Sequence, residues 1–281
     1  MDTSAIADAF DTAVDDALIW ISDNGAFLFD GIRALFEGFY DGVLAALTLA
    51  PWPVVAALFA LLGWRLLGLW PGVLTAVGLA FCAGMGLWPE TMSTFALVIT
   101  STCLALVIGL PLGVLAGFLP RLDRAVEPVL DLIQTLPPYI YLLPAIALLG
   151  FGPATALAAT LIVAMPPAIR LTSLGIRRTP TEFVELGQAT GMTPGQMFWK
   201  IRLPFALPSI MAGINQSLMM AFGMVVIAGI VGSGGLGETI YEAIRTLDIA
   251  KSINAAIAIV ILTMVIDRLT QNLVRVVRAR P

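Results

Sequence analysis

Apolar and polar positions follow two different patterns along this 281-residue chain. In the first fifty residues the unit is the helical turn. Ile6, Phe10, Val14, Leu18 and Ile21 recur at helical spacing, with Asp8, Asp11 and Asp15 on another face. After Asn24-Gly25 the pattern resumes, Phe29, Ile32, Phe36, Phe39 and Val43 opposing Asp30, Arg33, Glu37 and Asp41. This predicts two amphipathic helices within residues 1–50. From residue 52 onward the unit is the bilayer, which a helix of about 20 apolar residues can cross. Apolar runs predict seven spans at 52–69, 71–88, 92–118, 126–149, 153–172, 206–231 and 252–272. The expected fold class is all-α, a polytopic membrane protein with about seven transmembrane helices. Its parts are the acidic helices 1–50, an accessory hairpin 51–89 punctuated by Pro51, Pro53, Pro71 and Pro89, a transmembrane core 90–275 with one polar loop at 173–205, and a basic tail 276–281.

Composition sharpens this. Hydrophobic residues make up 59% and charged residues 12% of the chain, against roughly 45–50% and 25% in ordinary soluble domains. With no histidine, His-based triads, HExxH zinc sites, His proton relays and His-ligated haem are excluded, and no metal site is expected. Cys82 and Cys103 lie in apolar runs and read as small buried hydrophobes. Trp52, Trp64, Trp70 and Trp88 suit interfacial aromatic belts.

Charge placement orients the spans. Residues 1–50 hold nine acids against the single base Arg33, leaving a net +4 for the remainder. Arg121 and Arg124 follow the third span; Arg170, Arg177, Arg178, Lys200 and Arg202 follow the fifth; Arg275, Arg278 and Arg280 end the chain. Seven spans put all three groups on one side, which the positive-inside rule makes cytoplasmic, with the N-terminus outside. An acidic face is not drawn to anionic lipid, so the N-terminal helices are expected to pack on the transmembrane part rather than on lipid.

The 173–205 loop carries helix-start and helix-stop signals. Thr179-Pro180-Thr181-Glu182 reads as a capping box with Pro at the first helical position, and Thr193-Pro194-Gly195-Gln196 repeats the device. Gly191 between them can take the left-handed conformation that ends a helix. Two short helices with a sharp bend are predicted. A connection alone needs only a few residues, so a folded elbow implies a docking surface.

The same residues bear a family resemblance. Glu185-Leu186-Gly187, then Gly191 after three residues, Ile201 after nine more, and Leu203-Pro204 resemble the EAA loop of ABC importer permeases. Leu186 and Gly187 stand where the family pattern has two alanines. Leu203-Pro204-Phe205-Ala206-Leu207-Pro208-Ser209-Ile210-Met211-Ala212-Gly213-Ile214-Asn215-Gln216, Met224-Val225-Val226-Ile227-Ala228, Asp267-Arg268-Leu269-Thr270-Gln271, Ile108-Gly109-Leu110-Pro111-Leu112-Gly113 and Ala164-Met165-Pro166-Pro167-Ala168-Ile169-Arg170-Leu171-Thr172 are similar to the glycine betaine/proline branch. The likeness covers roughly residues 90–275. It implies a type I importer permease fold, a bacterial inner-membrane location, and an elbow that rests in a groove on a separate ATPase subunit.

Other signals have plainer readings. Gly232-Ser233-Gly234-Gly235-Leu236-Gly237 satisfies G-x-G-x-x-G, but a long apolar span precedes it where dinucleotide binding needs a strand; a tight external turn is expected. No phosphate-binding G-x-x-x-x-G-K-[ST] occurs. Pro137-Pro138 with Pro144, and Pro166-Pro167, interrupt the spans as hinges or static kinks. Gly109, Gly113 and Gly117 recur at four-residue spacing and permit close helix packing. Polar residues within spans usually face the interior or a pathway: Asp131 and Gln134, Asn215, Gln216 and Ser217, and Asp267 next to Arg268. Asn215 and Gln216 are the better path candidates, and Tyr139, Tyr141 and Phe222 offer aromatic faces to a quaternary ammonium.

The expected function is the permease subunit of an ATP-driven importer for a compatible solute or methylated amine, such as glycine betaine, proline or choline. No cofactor or catalytic residue is expected in this chain, with ATP and Mg on the partner. Expected partners are the ATPase, an external substrate-binding protein, a second copy of this chain and membrane lipid, with no nucleic acid. The alternatives are a permease for another small polar substrate and an ion-coupled secondary transporter; the latter predicts midplane ionisable residues and paired repeats. An intramembrane hydrolase without histidine would need a carboxylate or lysine base.

Overall fold

A computed structural model describes residues 3–278, with side chains for residues 8–272. The basic tail side chains of Arg275, Arg278 and Arg280 lie outside the described residues. Twelve α-helices, joined by short turns, account for nearly all of the described chain, and no strand occurs in it.

Helix α1 (Thr3–Thr48) is continuous, not the two helices expected. Asn24 does not leave the helix: its side-chain amide donates to the Trp20 carbonyl one turn back. Gly25 costs only about 1 kcal/mol against alanine, which a helix this long absorbs. The first half of α1 stands clear of the chain, with Phe10, Trp20 and Phe27 exposed. The second half packs: Phe36, Val43, Leu44 and Leu47 meet the core, and buried Tyr40 shares a hydrogen bond with Ser93. The expected packing on the transmembrane part therefore holds for this half alone.

Helices α2 (Trp52–Leu67) and α3 (Leu69–Gly84) form the predicted hairpin, but each has 16 residues, about 24 Å of helix. That is short of the roughly 30 Å hydrocarbon core. Among the described residues, four helices are long and apolar enough by length and composition to cross a membrane, or up to six if two bent pairs count as one span each, with α3 as a further shorter apolar helix; seven spans were expected. One bent pair is α1 with α2, at 92°. The other replaces the expected span 126–149. Helix α5 (Pro120–Thr135) ends, a 3-10 turn covers Pro138–Tyr141, and α6 (Leu142–Leu149) leaves at 105°. Pro137 and Pro138 cannot donate to the helical ladder, and a residue before proline is pushed to extended backbone, as Leu136 is at ψ 138°.

The core is built around α7 (Pro153–Arg177), between α4 (Trp88–Phe118) and α10 (Leu203–Ala228). Gly109, Gly113 and Gly117 of α4 all face α7. A Cβ on Gly113 would lie 2.7 Å from the Ile169 carbonyl oxygen, and one on Gly117 2.7 Å from Ile176 Cβ. On the opposite side Gly175 lies against Ala206 and Ser209 of α10. Small residues thus let three backbones meet, which replaces bulk apolar packing as the source of helix association in lipid. Pro166 and Pro167 are buried inside α7 without ending it.

After a short turn at Gly229–Val231, Gly232, Gly234 and Gly235 have positive φ and lead into α11 (Gly235–Thr246), which packs on α4, α10 and α12 (Ile249–Arg278). The glycine run is a turn, as expected, stitched down by the Leu236 N–H donating to Thr94 Oγ1 at 2.8 Å. Cys82 is fully buried beside Leu87, Leu236, Ala255 and Ala258, whereas Cys103 faces outward from α4. Burial was expected of both; the apolar run around Cys103 gives it an apolar surface rather than an interior position.

Candidate functional site: the helical elbow

The elbow starts later than residue 173, because α7 continues to Arg177. Helix α8 (Thr181–Ala189) follows with Pro180 as its N-cap and no side-chain cap. The expected Thr179 cap does not form. Thr179 is buried, and its hydroxyl turns back to donate to the Ile176 carbonyl in the last turn of α7.

The C-terminal end of α8 matches its sequence signal. Gly191 has φ +72°. Its N–H donates to the Gln188 carbonyl and the Met192 N–H to the Gly187 carbonyl, both at 3.0 Å, the two bonds of a Schellman motif. The second capping box is complete: Thr193 Oγ1 accepts from the Gln196 N–H at 3.3 Å, and Gln196 Oε1 accepts from the Thr193 N–H at 3.0 Å. It opens α9 (Pro194–Met197).

Helix α9 is not a separate short helix before a span beginning at 206. It runs through a π-helical turn, Phe198–Arg202, directly into α10. Pro204 supplies the reason. Having no N–H, it cannot bond the Lys200 carbonyl, and the Leu203 N–H reaches back five residues to Phe198. The π turn went unread in the sequence, although a proline one turn beyond an uninterrupted helical pattern is a signal for it. The elbow is consequently continuous with a core helix.

Its inner face joins Gly187, Met197 and Ile201. A Cβ on Gly187 would lie 2.5 Å from Met197 Cε and 2.9 Å from Ile201 Cδ1, which explains glycine where the family pattern has alanine. Phe183 stacks against Phe205 with centroids 4.8 Å apart, and Leu203 is half-buried beside the small cluster of Ile176, Ala206 and Ile210. The outer face presents Glu185, Leu186, Trp199 and Lys200, with Leu186 58% and Trp199 68% exposed. Pro204 is also exposed. Large apolar side chains beside charges on a folded elbow are the composition of a docking surface.

A polar seam braces this end of the chain. Asp123 of α5 accepts from Ser173 at 2.7 Å and pairs with Arg177, while Arg170 pairs with Asp131 and donates to Gln134 Oε1 at 3.0 Å. A cavity of about 190 Å³ lies between α5 and α7, lined by Glu127, Leu130 and the Asp123–Arg177 pair. Asp123 is mostly buried and Asp131 is 62% exposed at the side chain. Replacing Asp123 by alanine should therefore cost about 1 kcal/mol, a drop of about 2–4 °C in Tm. Asp131→Ala should melt within error of wild type, and equal effects of the two would contradict this ranking.

The path candidates are dispersed. Asn215 is half-buried and its Oδ1 accepts from Thr270 of α12 at 3.0 Å. Gln216 is exposed, and Ser217 is buried with no hydrogen-bond partner among the described residues. Asp267 accepts from Gln271 at 2.7 Å. Phe222 is buried among α4, α7 and α10, so it packs in the core and lines no surface of this chain. Tyr139 is 59% exposed, and the Tyr141 hydroxyl donates to the Ile133 carbonyl at 2.9 Å. The tyrosines and the Asn215–Gln216 pair share no hydrogen bond among the described residues.

Comparison with known proteins gives the same assignment as the elbow. Residues 109–279 match the family described as binding-protein-dependent transport system inner membrane component. The chain is 39% identical to ProW, the glycine betaine/proline betaine transport system permease protein of Escherichia coli K12, over 96% of this chain and 76% of that one. It is 39% identical to OpuAB, the glycine betaine transport system permease protein of Bacillus subtilis 168, over 95% of this chain and 94% of that one. The fold resembles the MetNI methionine ABC transporter in inward-facing conformations, with a TM-score of 0.61 and 27% identity over 67% of this chain and 94% of that one. From its elbow, its α4–α7–α10 core and these matches, the chain belongs to the binding-protein-dependent transport system inner membrane components, the permease subunits of ABC importers.

Proposed function

We propose that this permease imports methylated ammonium solutes, the chemical class of glycine betaine, proline betaine and choline. The permease role rests on one structural observation, the elbow stopped at Gly191 and restarted by the Thr193 capping box, with Leu186 and Trp199 beside Glu185 and Lys200 on its outer face and joined without interruption to α10. The named substrates of ProW and OpuAB support the solute class. The permease itself breaks no covalent bond. ATP and Mg are held by separate ATPase subunits, and each ATPase receives one elbow. Two ATPases need two elbows, so the assembly contains two copies of this chain. The basic end, with Arg121, Arg124, Arg177 and Lys200, faces the cytoplasm. An external binding protein delivers the solute to the opposite face.

Closure of the ATPases drives the elbows together. Because α9, the π turn and α10 are one continuous helix, that motion passes to the core as a rigid displacement and opens the path to the opposite side. The solute class is tested by uptake into proteoliposomes containing the permease, its ATPase and its binding protein. Glycine betaine or a close methylated ammonium should accumulate and compete with the others. Uptake of methionine or a phosphonate with none of a methylated ammonium would overturn the class.

A further inference from the structure

The break between α5 and α6 does more than change the direction of the chain. Pro137 and Pro138 have no N–H, so the carbonyls of Ile133 and Gln134, four residues earlier, lose their helical donors. The Tyr141 hydroxyl replaces one, donating to the Ile133 carbonyl at 2.9 Å. The Gln134 carbonyl receives no such substitute among the described residues. It lies in the last turn of α5, where the helix dipole concentrates about half a negative elementary charge.

The break lies at the exposed surface of this chain, with Gln134, Thr135 and Tyr139 all exposed. Gln134 Oε1 accepts from Arg170 at 3.0 Å, which ties the last turn of α5 to α7 seven residues, about 10 Å, before Arg177. Interrupted helices at membrane depth leave carbonyls bare where they line a cavity or path, and C-terminal half-helix ends there suit cations. The neighbouring fixed cation, Arg170, is already engaged by Asp131 and the Gln134 side chain. Tyr139, in the turn that follows, is 59% exposed. A quaternary ammonium has no N–H to donate; it is recognised by aromatic faces and by partial negative charge. The Gln134 carbonyl and the Tyr139 ring flank this break, five residues apart in sequence.

We infer that the break at Gln134–Tyr141 is a transit subsite for the quaternary ammonium group of the solute, formed by the bare C-terminal carbonyl of α5 and the Tyr139 ring. This rests on the solute class proposed above. Tyr141 is the positioning residue, its hydroxyl fixing the turn against α5.

The test uses the complete transporter in proteoliposomes, with glycine betaine as probe and binding protein in excess. Tyr139→Leu keeps the bulk and removes the ring; its uptake should fall about tenfold. Tyr139→Phe and Tyr139→Trp keep a ring face and should remain near wild type, which separates loss of recognition from loss of folding. Wild-type uptake by Tyr139→Leu, or equal loss in the Leu and Phe variants, would overturn the subsite alone. A wild-type complex that takes up no methylated ammonium would overturn the solute class and the subsite together.

Discussion

Replacing Gly191 by valine should cut ATP-driven uptake about tenfold while leaving the permease folded and membrane-inserted. Gly191 has φ +72° with no atom within 4 Å of where a Cβ would sit, so the change meets no steric clash. Its cost is in the backbone: about 1–2 kcal/mol for an L-residue held left-handed, with β-branching adding to it. That strain falls on the two Schellman bonds that stop α8 and turn the chain toward Thr193. A loss of 1.4 kcal/mol in the populated elbow geometry is tenfold. Asparagine tolerates the left-handed region better than alanine, and alanine better than valine. Uptake per ATP hydrolysed should therefore fall in the order Gly, Asn, Ala, Val. Coupled uptake at the wild-type rate by Gly191→Val would remove the elbow from the coupling mechanism.

Gly237→Ala should be among the most destabilising single-methyl additions in the chain. The added Cβ would lie 2.1 Å from the Val225 carbonyl oxygen and 3.0 Å from its carbon. Both are backbone atoms, so no side chain can rotate away and α11 must separate from α10. Overpacking of this kind costs about 3 kcal/mol, a Tm lower by about 6–12 °C in thermal unfolding of the purified permease. Gly223→Ala is the control. It lies in α10 with no atom within 4 Å of the new methyl, and it should be neutral or stabilise by up to about 1 kcal/mol. Equal melting of the two variants would contradict the close approach of α10 and α11.

The long apolar helices were the most legible part of the fold. Expected spans at 92–118, 153–172, 206–231 and 252–272 correspond to α4, α7, α10 and α12, because an apolar run of that length has few other stable solutions. The errors arose where local signals compete with tertiary context. Asn24-Gly25 reads as a stop, yet Asn24 is satisfied by Trp20 within the helix. Pro137-Pro138 was visible as an interruption, but the 105° bend depends on what α5 and α6 pack against. Thr179 carries a capping signature that its burial against Ile176 overrides. The elbow was legible because its devices are local: the Thr193 box and Gly191 each close within a few residues. The substrate path was not, since a side chain's distance from the helix ends says nothing of the face it occupies. Phe222 and Gln216, six residues apart on α10, take opposite positions, one in the core and one exposed.

The central claim is that this chain turns ATP-driven motion at its elbow into solute import. Its most direct measurement is glycine betaine uptake into proteoliposomes holding the permease, its ATPase and its binding protein, with ATP supplied to the elbow side and no ion gradient. Accumulation that requires ATP and the binding protein together, and that falls in Gly191→Val, is the predicted result. Accumulation driven by a sodium or proton gradient in the absence of ATP would contradict it.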